Sequence, residues 1–545
     1  MYNNNHNKLG ISLNKYLIKG ITCIILLMSV SSCKKELEEI PKSYYSLNLF
    51  FQDVNQANMA VMGIYETLGQ LDTYGRSISL SFTLDSDIAQ IDGTTNVSGN
   101  RQEIGHYSYT PVHPWIEGAW RFLYIGVDRA NLVIERIPQM EIYNNGTEEQ
   151  KSQLNKLLGE ALFLRSLIYF DLVRLWGDVP FKLTPTSAGN DLKLPKTDRE
   201  VIYDEIIKSM EDAIDLVPWA SQKSLDERVS KGAVKGVLAR VLLYRGGFSL
   251  RADGLMKRPD NYLQYYQKAA QQTKEVIESN EHKLNDDYEQ LFKNYSEFKL
   301  DPRESMFEIS FFNATGGNEN SGLVGTWNSP LTSINSAYGR ANSFFKTHPV
   351  FYHSFDKNDK RRDIAIANFE IDGNGQILPL TGKRDNLWAP GKWRKNWQNT
   401  SSKNPNNTDI NWVLLRYADV LLMHAEAENE INNGPSASAY DAIDMVRRRA
   451  GLDGLPKDLT KNEFFKKVID ERAFELCFEG WRKYDLIRWN MLGEKLRDTM
   501  QLLKKYRSDF PFVSGETFVD NKHELLPIPQ REIDQNSSLI QNPGY

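Results

Sequence analysis

Apolar residues recur at three- and four-residue steps through most of this chain. That period commits each such stretch to a helix with one buried face. Val54 to Leu71 places Ala57, Val61, Ile64, Tyr65 and Leu68 on one face. Trp120 to Ile137 does the same through Leu123, Val127, Ala130, Val133 and Ile134, and Pro138 ends it. Three helix pairs follow. Leu154 to Trp176 stops at Gly177-Asp178 and is answered by Asp198 to Val217. Ser230 caps a helix running to Gly246-Gly247, with Tyr262 to Ile277 as its mate. Trp412 to Ile431 turns at Asn433-Gly434-Pro435 and returns through Ala439 to Ala450. The first two leading helices share a small residue followed eight positions later by Tyr, Ala161 to Tyr169 and Gly236 to Tyr244. Paired antiparallel helices of a few tens of residues suggest tetratricopeptide-like repeats, a pattern that a plain helical bundle also produces.

Between Asn285 and Asn411 the period fails, and Gly, Asn, Pro and Trp accumulate. Met306 to Phe312 alternates as a strand does. So long an irregular stretch inside a globular chain is usually functional. Helix returns from Lys461 to Trp489, and Leu525 to Pro529 is an apolar segment that proline keeps extended.

The N-terminus has a different composition. Lys8, Lys15 and Lys19 precede an apolar run, Ile21 to Val30, that is too short to span a bilayer but suits a secretory signal. Val30-Ser31-Ser32 gives small residues for cleavage, and Cys33 follows at once. The expected organisation is a lipoprotein signal over 1–32, an acylated Cys33 with a tether over 33–46, and one domain over 47–545. Helical repeats occupy about 54–280 and 411–489 of that domain, and a loop-rich region about 285–410. Two or more acyl chains on Cys33 would anchor the protein stably, at about 0.8 kcal/mol per buried methylene. The formal charge is −5, and removing the leader's three lysines leaves −8, which argues against a nucleic-acid partner. No later stretch is long and apolar enough for a transmembrane helix. Cys477, alone in the body of the chain, lies on an apolar stripe and reads as a small core residue.

Several stretches are similar to signatures of the SusD/RagB family of outer-membrane nutrient-uptake lipoproteins. They are Leu162 to Pro180 (LFLRSLIYFDLVRLWGDVP), Leu414 to Glu430 (LLRYADVLLMHAEAENE) and Glu471 to Trp489 (ERAFELCFEGWRKYDLIRW). Leu525 to Asp534 (LLPIPQREID) with Gln541 to Tyr545 (QNPGY) matches too, as do Phe50 and Phe51 followed by Ala57, Ala60 and Gly63-Ile64-Tyr65. The charged residues in these signatures, including Arg165, Asp171, Arg174, Asp178, Arg416, Glu426, Arg472, Glu475, Glu479, Arg482 and Asp485, suit buried ion pairs that fix helix register. The resemblance implies a mainly α fold: tetratricopeptide-like helix pairs packed against an irregular loop-rich region with a few short strands. It also implies a surface protein that captures glycans, or in some members peptides, and passes them to a TonB-dependent SusC-like transporter, without bond cleavage. A protein-interaction scaffold and a lipid-anchored hydrolase are the other readings.

No catalytic residue is expected, since H-E-x-x-H, G-x-S-x-G and P-loop motifs are absent. Asp85-Ser-Asp87 is too close in sequence to read as a glycosidase pair, and Asp372-Gly-Asn374-Gly lacks the later ligands of a calcium loop. His348 and His353 have poor metal spacing, and neither a metal nor a cofactor is expected. Glycan capture needs exposed aromatic faces beside planar hydrogen-bonding groups. Two regions supply them. The loop Asp87 to Trp115 offers Gln90, Asn96, Asn100, Arg101 and Trp115. The central segment offers Trp327, Asn328, Tyr338, Arg340, Trp388, Trp393, Arg394 and Trp397. Trp327 leads, because Gly and Asn surround it and no helical stripe contains it.

Overall fold

Most of the long helices begin where a short polar side chain meets backbone N–H groups that the helix itself leaves unpaired. In a computed structural model, which describes residues 50–83, 85–92, 99–187, 189, 193–311, 321–398 and 408–545, Asp53 caps α1 (Val54–Leu68) by accepting from the Gln56 amide at 2.9 Å. Cys33, the signal, the tether and Asn96 lie outside the described residues. After the short α2 (Asn100–Gly105), α3 (Pro114–Arg136) starts with proline in its first turn, and His113 Nδ1 accepts from the Trp115 amide. Thr147 and Gln150 form a capping box on α4 (Glu148–Trp176). Asp198 caps α5 (Arg199–Leu216) and Ser230 caps α6 (Lys231–Arg245); α7 (Tyr262–Glu278) and α8 (Tyr288–Ser296) follow. The one-turn α9 (Val324–Trp327) lies in the central segment. The C-terminal part holds α10 (Tyr417–Ile431), α11 (Ala437–Arg449), α12 (Lys461–Leu476), α13 (Arg482–Arg488), α14 (Leu492–Tyr506), α15 (Ser514–Thr517) and α16 (Gln530–Gln535).

Successive long helices pack on one another from α3 to α7. Helix α7 then packs on α10, across the whole irregular segment, before α10 meets α11 and α12. The helical stack is therefore continuous in space, and the loop-rich part is inserted between its two halves. Residues 52–545 make one compact unit. Gly236 illustrates why small residues recur where α6 meets its neighbours: a Cβ there would stand 2.5 Å from Leu415 Cδ2 and 3.2 Å from Val420 Cγ2 of α10. Tyr244, eight residues on, packs edge-to-face on Phe170 of α4 at 5.0 Å.

Strands are short and paired two by two. They include β1 (Ala89–Ile91), β2 (Ser305–Ile309), β3 (Phe345–Thr347), β4 (Phe369–Ile371), β5 (Ile377–Pro379) and β6 (Trp412–Arg416). The last of these corrects the expectation of one helix from Trp412 to Ile431. Trp412 to Arg416 is instead a fully buried strand, antiparallel to β2 with Trp412 opposite Ile309. A continuous apolar run buried on both faces has no period to tell strand from helix. The helix expected over Lys461 to Trp489 also breaks, between α12 and α13. Phe478 (φ 65°) and Gly480 (φ 83°) adopt left-handed backbone there, and a Cβ on Gly480 would meet the Trp412 ring at 2.9 Å.

That break turns Glu479 into a buried ion network. Arg416 donates to both Glu479 oxygens (2.7 and 2.9 Å), to Glu304 (3.0 Å), to Glu475, and to the Glu475 carbonyl (2.7 Å). Arg361 and Arg449 also hold Glu475, and Lys392 holds Glu479. Alongside, Arg472 bridges Asp419 and Asp485, Arg240 meets Asp419, and Arg488 joins Glu426 to Asp485. Burial acts to raise the Glu475 pKa, yet Arg449, Arg416 and Arg361 outweigh it and hold the carboxyl well below the usual range. Cys477 is buried beside this network, its thiol pushed up to about 11 by burial. Among the described residues no helix is long and apolar enough to cross a membrane.

Candidate functional site

The two sequence regions nominated above meet through one short ladder. Strand β1 pairs antiparallel with β3, setting Ala89 opposite Thr347, Gln90 opposite Lys346 and Ile91 opposite Phe345, and the Asp92 amide donates to the Phe344 carbonyl at 2.7 Å. Asp92 then receives both Nε and Nη2 of Arg101 (2.8 and 3.0 Å) from the first turn of α2. This lays the Arg101 guanidinium 3.8 Å from the centre of the Phe344 ring. Trp327, at the end of α9, meets Phe344 edge-on at 5.1 Å and Trp115 at 6.0 Å with a 41° tilt. Trp115 carries the Arg76 guanidinium 3.9 Å over its ring.

The result is a half-buried row in the order Arg76, Trp115, Trp327, Phe344, Arg101, with an arginine at either end. Each arginine is neutralised by a carboxylate, Arg76 by Asp72 and Arg101 by Asp92. Burial lowers the Arg76 pKa and raises that of Asp72, with their mutual attraction acting against both shifts. Gly118 of α3 makes room for that pair, because a Cβ there would collide with the Asp72 carboxylate. The platform is held from behind as well. Ser343, in left-handed backbone (φ 55°), donates its amide to Thr326 at 2.9 Å and so aims Phe344 at Trp327; such a conformation costs about 1–3 kcal/mol. Burial pushes the Lys346 ammonium down to about 8, and it donates to Ser343 Oγ at 2.9 Å.

Trp115, Arg101 and Trp327 are therefore brought together. Trp115 sits in the first turn of α3, and the segment 87–115, expected as a loop, also contains β1 and α2. Five other nominated residues are drawn into interior contacts away from the row. Gln90 is buried and donates to the Pro511 carbonyl (3.0 Å), and Asn328 is buried and donates to that of Phe478 (3.0 Å). Trp388 is buried, with its indole N–H on the Leu380 carbonyl (2.9 Å) and Tyr352 across its ring. Trp393 is 0 % exposed, stacked on Trp412 and packed against Phe292, so it belongs to the core. Arg394 is buried on the carbonyls of Gly391, Asp363 and Ile364, next to Trp397. Tyr338 and Arg340 are exposed. Tyr338 lies against Gly375 in the turn of the β4–β5 hairpin, where Asp372 accepts from the Asn374 and Gln376 amides as a plain turn would.

The residues that sequence reasoning missed are Arg76, Phe344, Asp72 and Asp92. None belongs to a motif, and no local pattern in the sequence singled any of them out. The carboxylates and the buried histidine weighed for other chemistry are held in contacts of their own. Asp87 is clasped by Arg482 (2.9 and 2.6 Å), while Asp85 accepts from the Ile91 amide (3.1 Å) and Ser514 Oγ (3.0 Å), its carboxyl pushed up to about 7 by burial. His348 is buried near the Ser86 carbonyl, its pKa lowered to about 4 by burial. Among the described residues no cluster of His, Cys, Asp and Glu is placed to hold a metal ion.

The architecture is mainly helical, and helices α2 and α3 together with the inserted irregular region build an aromatic row edged by arginines. The chain belongs to the SusD family: the model of that family matches residues 260–545. A second model, described as starch-binding and associating with the outer membrane, matches residues 37–243. The SusD-like protein P2 of Formosa agariphila is 26% identical over 548 residues, spanning 96% of this chain and 99% of the relative. The crystal structure of a SusD homolog from Bacteroides thetaiotaomicron superposes with a TM-score of 0.85 at 30% identity, covering 92% of this chain and 98% of that one. A laminarin-binding SusD-like protein shares the fold, with a TM-score of 0.70 at 24% identity over 91% of this chain and 100% of that one.

Proposed function

We propose that this protein captures oligo- or polysaccharide at the cell surface and delivers it, without cleaving it, to a TonB-dependent transporter of the SusC type in the outer membrane. The observation that carries the capture step is the row of Trp115, Trp327 and Phe344 closed at both ends by arginines. Sugar rings present C–H faces that pack on aromatic planes, and the guanidinium edges not committed to Asp72 and Asp92 can donate to hydroxyls. Two indoles tilted by 41° suit successive sugars of a curved chain better than a flat one. Membership of the SusD family supports this reading, as does the starch-binding, outer-membrane description of the model matched by residues 37–243. The sequence supports anchoring through acylated Cys33, with a short charged tether behind it.

Affinity electrophoresis through gels containing starch, laminarin or other soluble polysaccharides tests the capture step. Retardation in at least one gel, lost in the Trp115→Ala, Trp327→Ala double variant, is the expected result. Unretarded migration through the whole series, with peptides bound instead, would favour the peptide-capturing form of the same fold.

A further inference from the structure

On the side of α3 away from the aromatic row lies a cavity of about 760 Å³, within the range of small-ligand sites. Trp115 and Tyr124 are nine residues apart on this helix, which places them about 13 Å apart along the axis and half a turn round it. The cavity is therefore a separate place from the row. Its lining includes Trp120, Tyr124 and Phe181 and, from α16, Glu532 and Gln535, with the exposed Leu183 beside them; the Trp120 indole donates to the Glu532 carboxylate. Nothing in the capture reading uses these residues.

The walls are built and fixed. Tyr124 donates to the Pro180 carbonyl at 2.7 Å, and Tyr169 to that of Lys182 at 2.8 Å. Asn131 spans the Lys182 and Thr184 carbonyls at 3.2 Å each, and Asn536 donates to that of Leu194 at 2.8 Å. With these carbonyls already engaged, the wall offers poor partners to the backbone of an extended peptide, which adds to a sheet edge through main-chain hydrogen bonds. Facing the space are aromatic surface, the planar amide of Gln535 and the Glu532 carboxylate, one of whose acceptor positions is taken by Trp120. Charge there is nearly balanced, since Lys182 is paired with Asp128 (2.8 Å) and Lys193 stands against Glu532 in sign. An uncharged, polyhydroxylated ligand with C–H faces matches that chemistry. A separate hollow of about 370 Å³ beside Pro111 and Val112 shares only Gln535 with this lining.

We propose that the cavity between α3, residues 180–186 and α16 is a second binding site for a short neutral oligosaccharide segment, distinct from the aromatic row. It rests on the capture reading only for the class of ligand. Isothermal titration with maltohexaose and with laminarihexaose tests it on the full mature chain. The wild type is expected to bind two molecules of the hexasaccharide it recognises. The Leu183→Arg, Gln535→Arg double variant, which places charge at an exposed rim without touching the fixed wall, should bind one, as should Trp115→Ala, Trp327→Ala. Combining all four substitutions should abolish binding. Wild-type stoichiometry in the rim variant, or complete loss of heat in the tryptophan variant, overturns the second site and leaves capture at the row intact. Binding that survives the tryptophan changes in full but disappears with the rim changes keeps this site and removes the row. If neither hexasaccharide binds the wild type, the proposed site is overturned for its stated ligand.

Discussion

Arg416→Met is the most informative stability perturbation, because Arg416 is 1 % exposed and meets three carboxylates and a carbonyl. Methionine fills much of the same volume but removes the charge. Glu475 would retain Arg361 and Arg449, and Glu304 would retain Arg449, whereas Glu479 would keep only Lys392. Breaking a buried pair and leaving its partner uncompensated costs about 3–5 kcal/mol. An unfolding entropy of about 2.1 cal/mol/K per residue over roughly 500 residues makes each kcal/mol worth about 1 °C in Tm. The expected fall is therefore about 3–5 °C by differential scanning calorimetry at pH 7. Arg416→Lys keeps the charge but loses the two-pronged contact with Glu479, and should fall by less.

The pH dependence distinguishes this cause from lost packing. Glu475 has a depressed pKa in the folded chain, so its stabilisation is fully present above the unfolded value near 4.3 and is lost as pH falls below it. Arg416→Met removes one of the three arginines that depress the Glu475 pKa, so the variant has less of this stabilisation to lose. The gap between the two proteins should then narrow as pH falls below about 4.3. A variant as stable as the wild type at pH 7, or a gap that widens on acidification, would refute the electrostatic account.

Further outcomes follow from the site and the leader. Trp115→Ala and Trp327→Ala should each weaken polysaccharide retardation by about 5- to 30-fold, equivalent to about 1–2 kcal/mol, with little change in Tm, as measured by affinity electrophoresis and calorimetry. Gly118→Ala should weaken binding without touching ligand, by displacing Asp72 and releasing Arg76 from Trp115; Trp fluorescence should report the loosened ring. Cys33→Ala should leave the protein folded but move it from the membrane to the soluble fraction and stop its labelling by palmitate. Continued membrane attachment of that variant would remove Cys33 as the anchor.

The helical half of this fold was legible because its signals are local. Period and terminal glycine marked the stop of α4 at Gly177, whereas its capping box at Thr147 and Gln150 went unread and the helix begins at Glu148 rather than Leu154. Strand β6 was not legible, since Trp412-Val413-Leu414-Leu415 is apolar on both faces and its partner lies about a hundred residues away. Trp327 and Trp393 show the same limit at the site. Trp327 sits between Gly325 and Asn328, and Trp393 among Gly391, Lys392 and Arg394, both in an irregular segment, yet one emerges beside Phe344 while the other is sealed against Trp412. Their difference is made by contacts at long sequence separation, which composition does not encode. Arg76 was invisible for a related reason: its role comes from Asp72 four residues before it and Trp115 on another helix.

The signature charges and the aromatic row proposed to bind ligand are nonetheless physically joined. Arg416 fixes Glu479, and Gly480 follows, its left-handed backbone seating Trp412. Arg482, two residues further, clasps Asp87 with both ends of its guanidinium. Asp87 stands directly before β1, whose ladder with β3 sets Phe344 and Asp92 and thereby Arg101. A buried ion network is weak evidence for stability in itself, but here it determines where a half-exposed platform stands. Pre-setting three aromatic rings before the ligand arrives removes an ordering cost of about 0.5–1.5 kcal/mol for each side chain that would otherwise be immobilised on binding. On that account Asp87→Ala, which touches no ligand and leaves every ring in place chemically, should weaken polysaccharide binding through a looser β1. Restoring a carboxylate with Asp87→Glu should recover part of it. Unchanged retardation in Asp87→Ala would show that the platform holds its geometry without the network behind it.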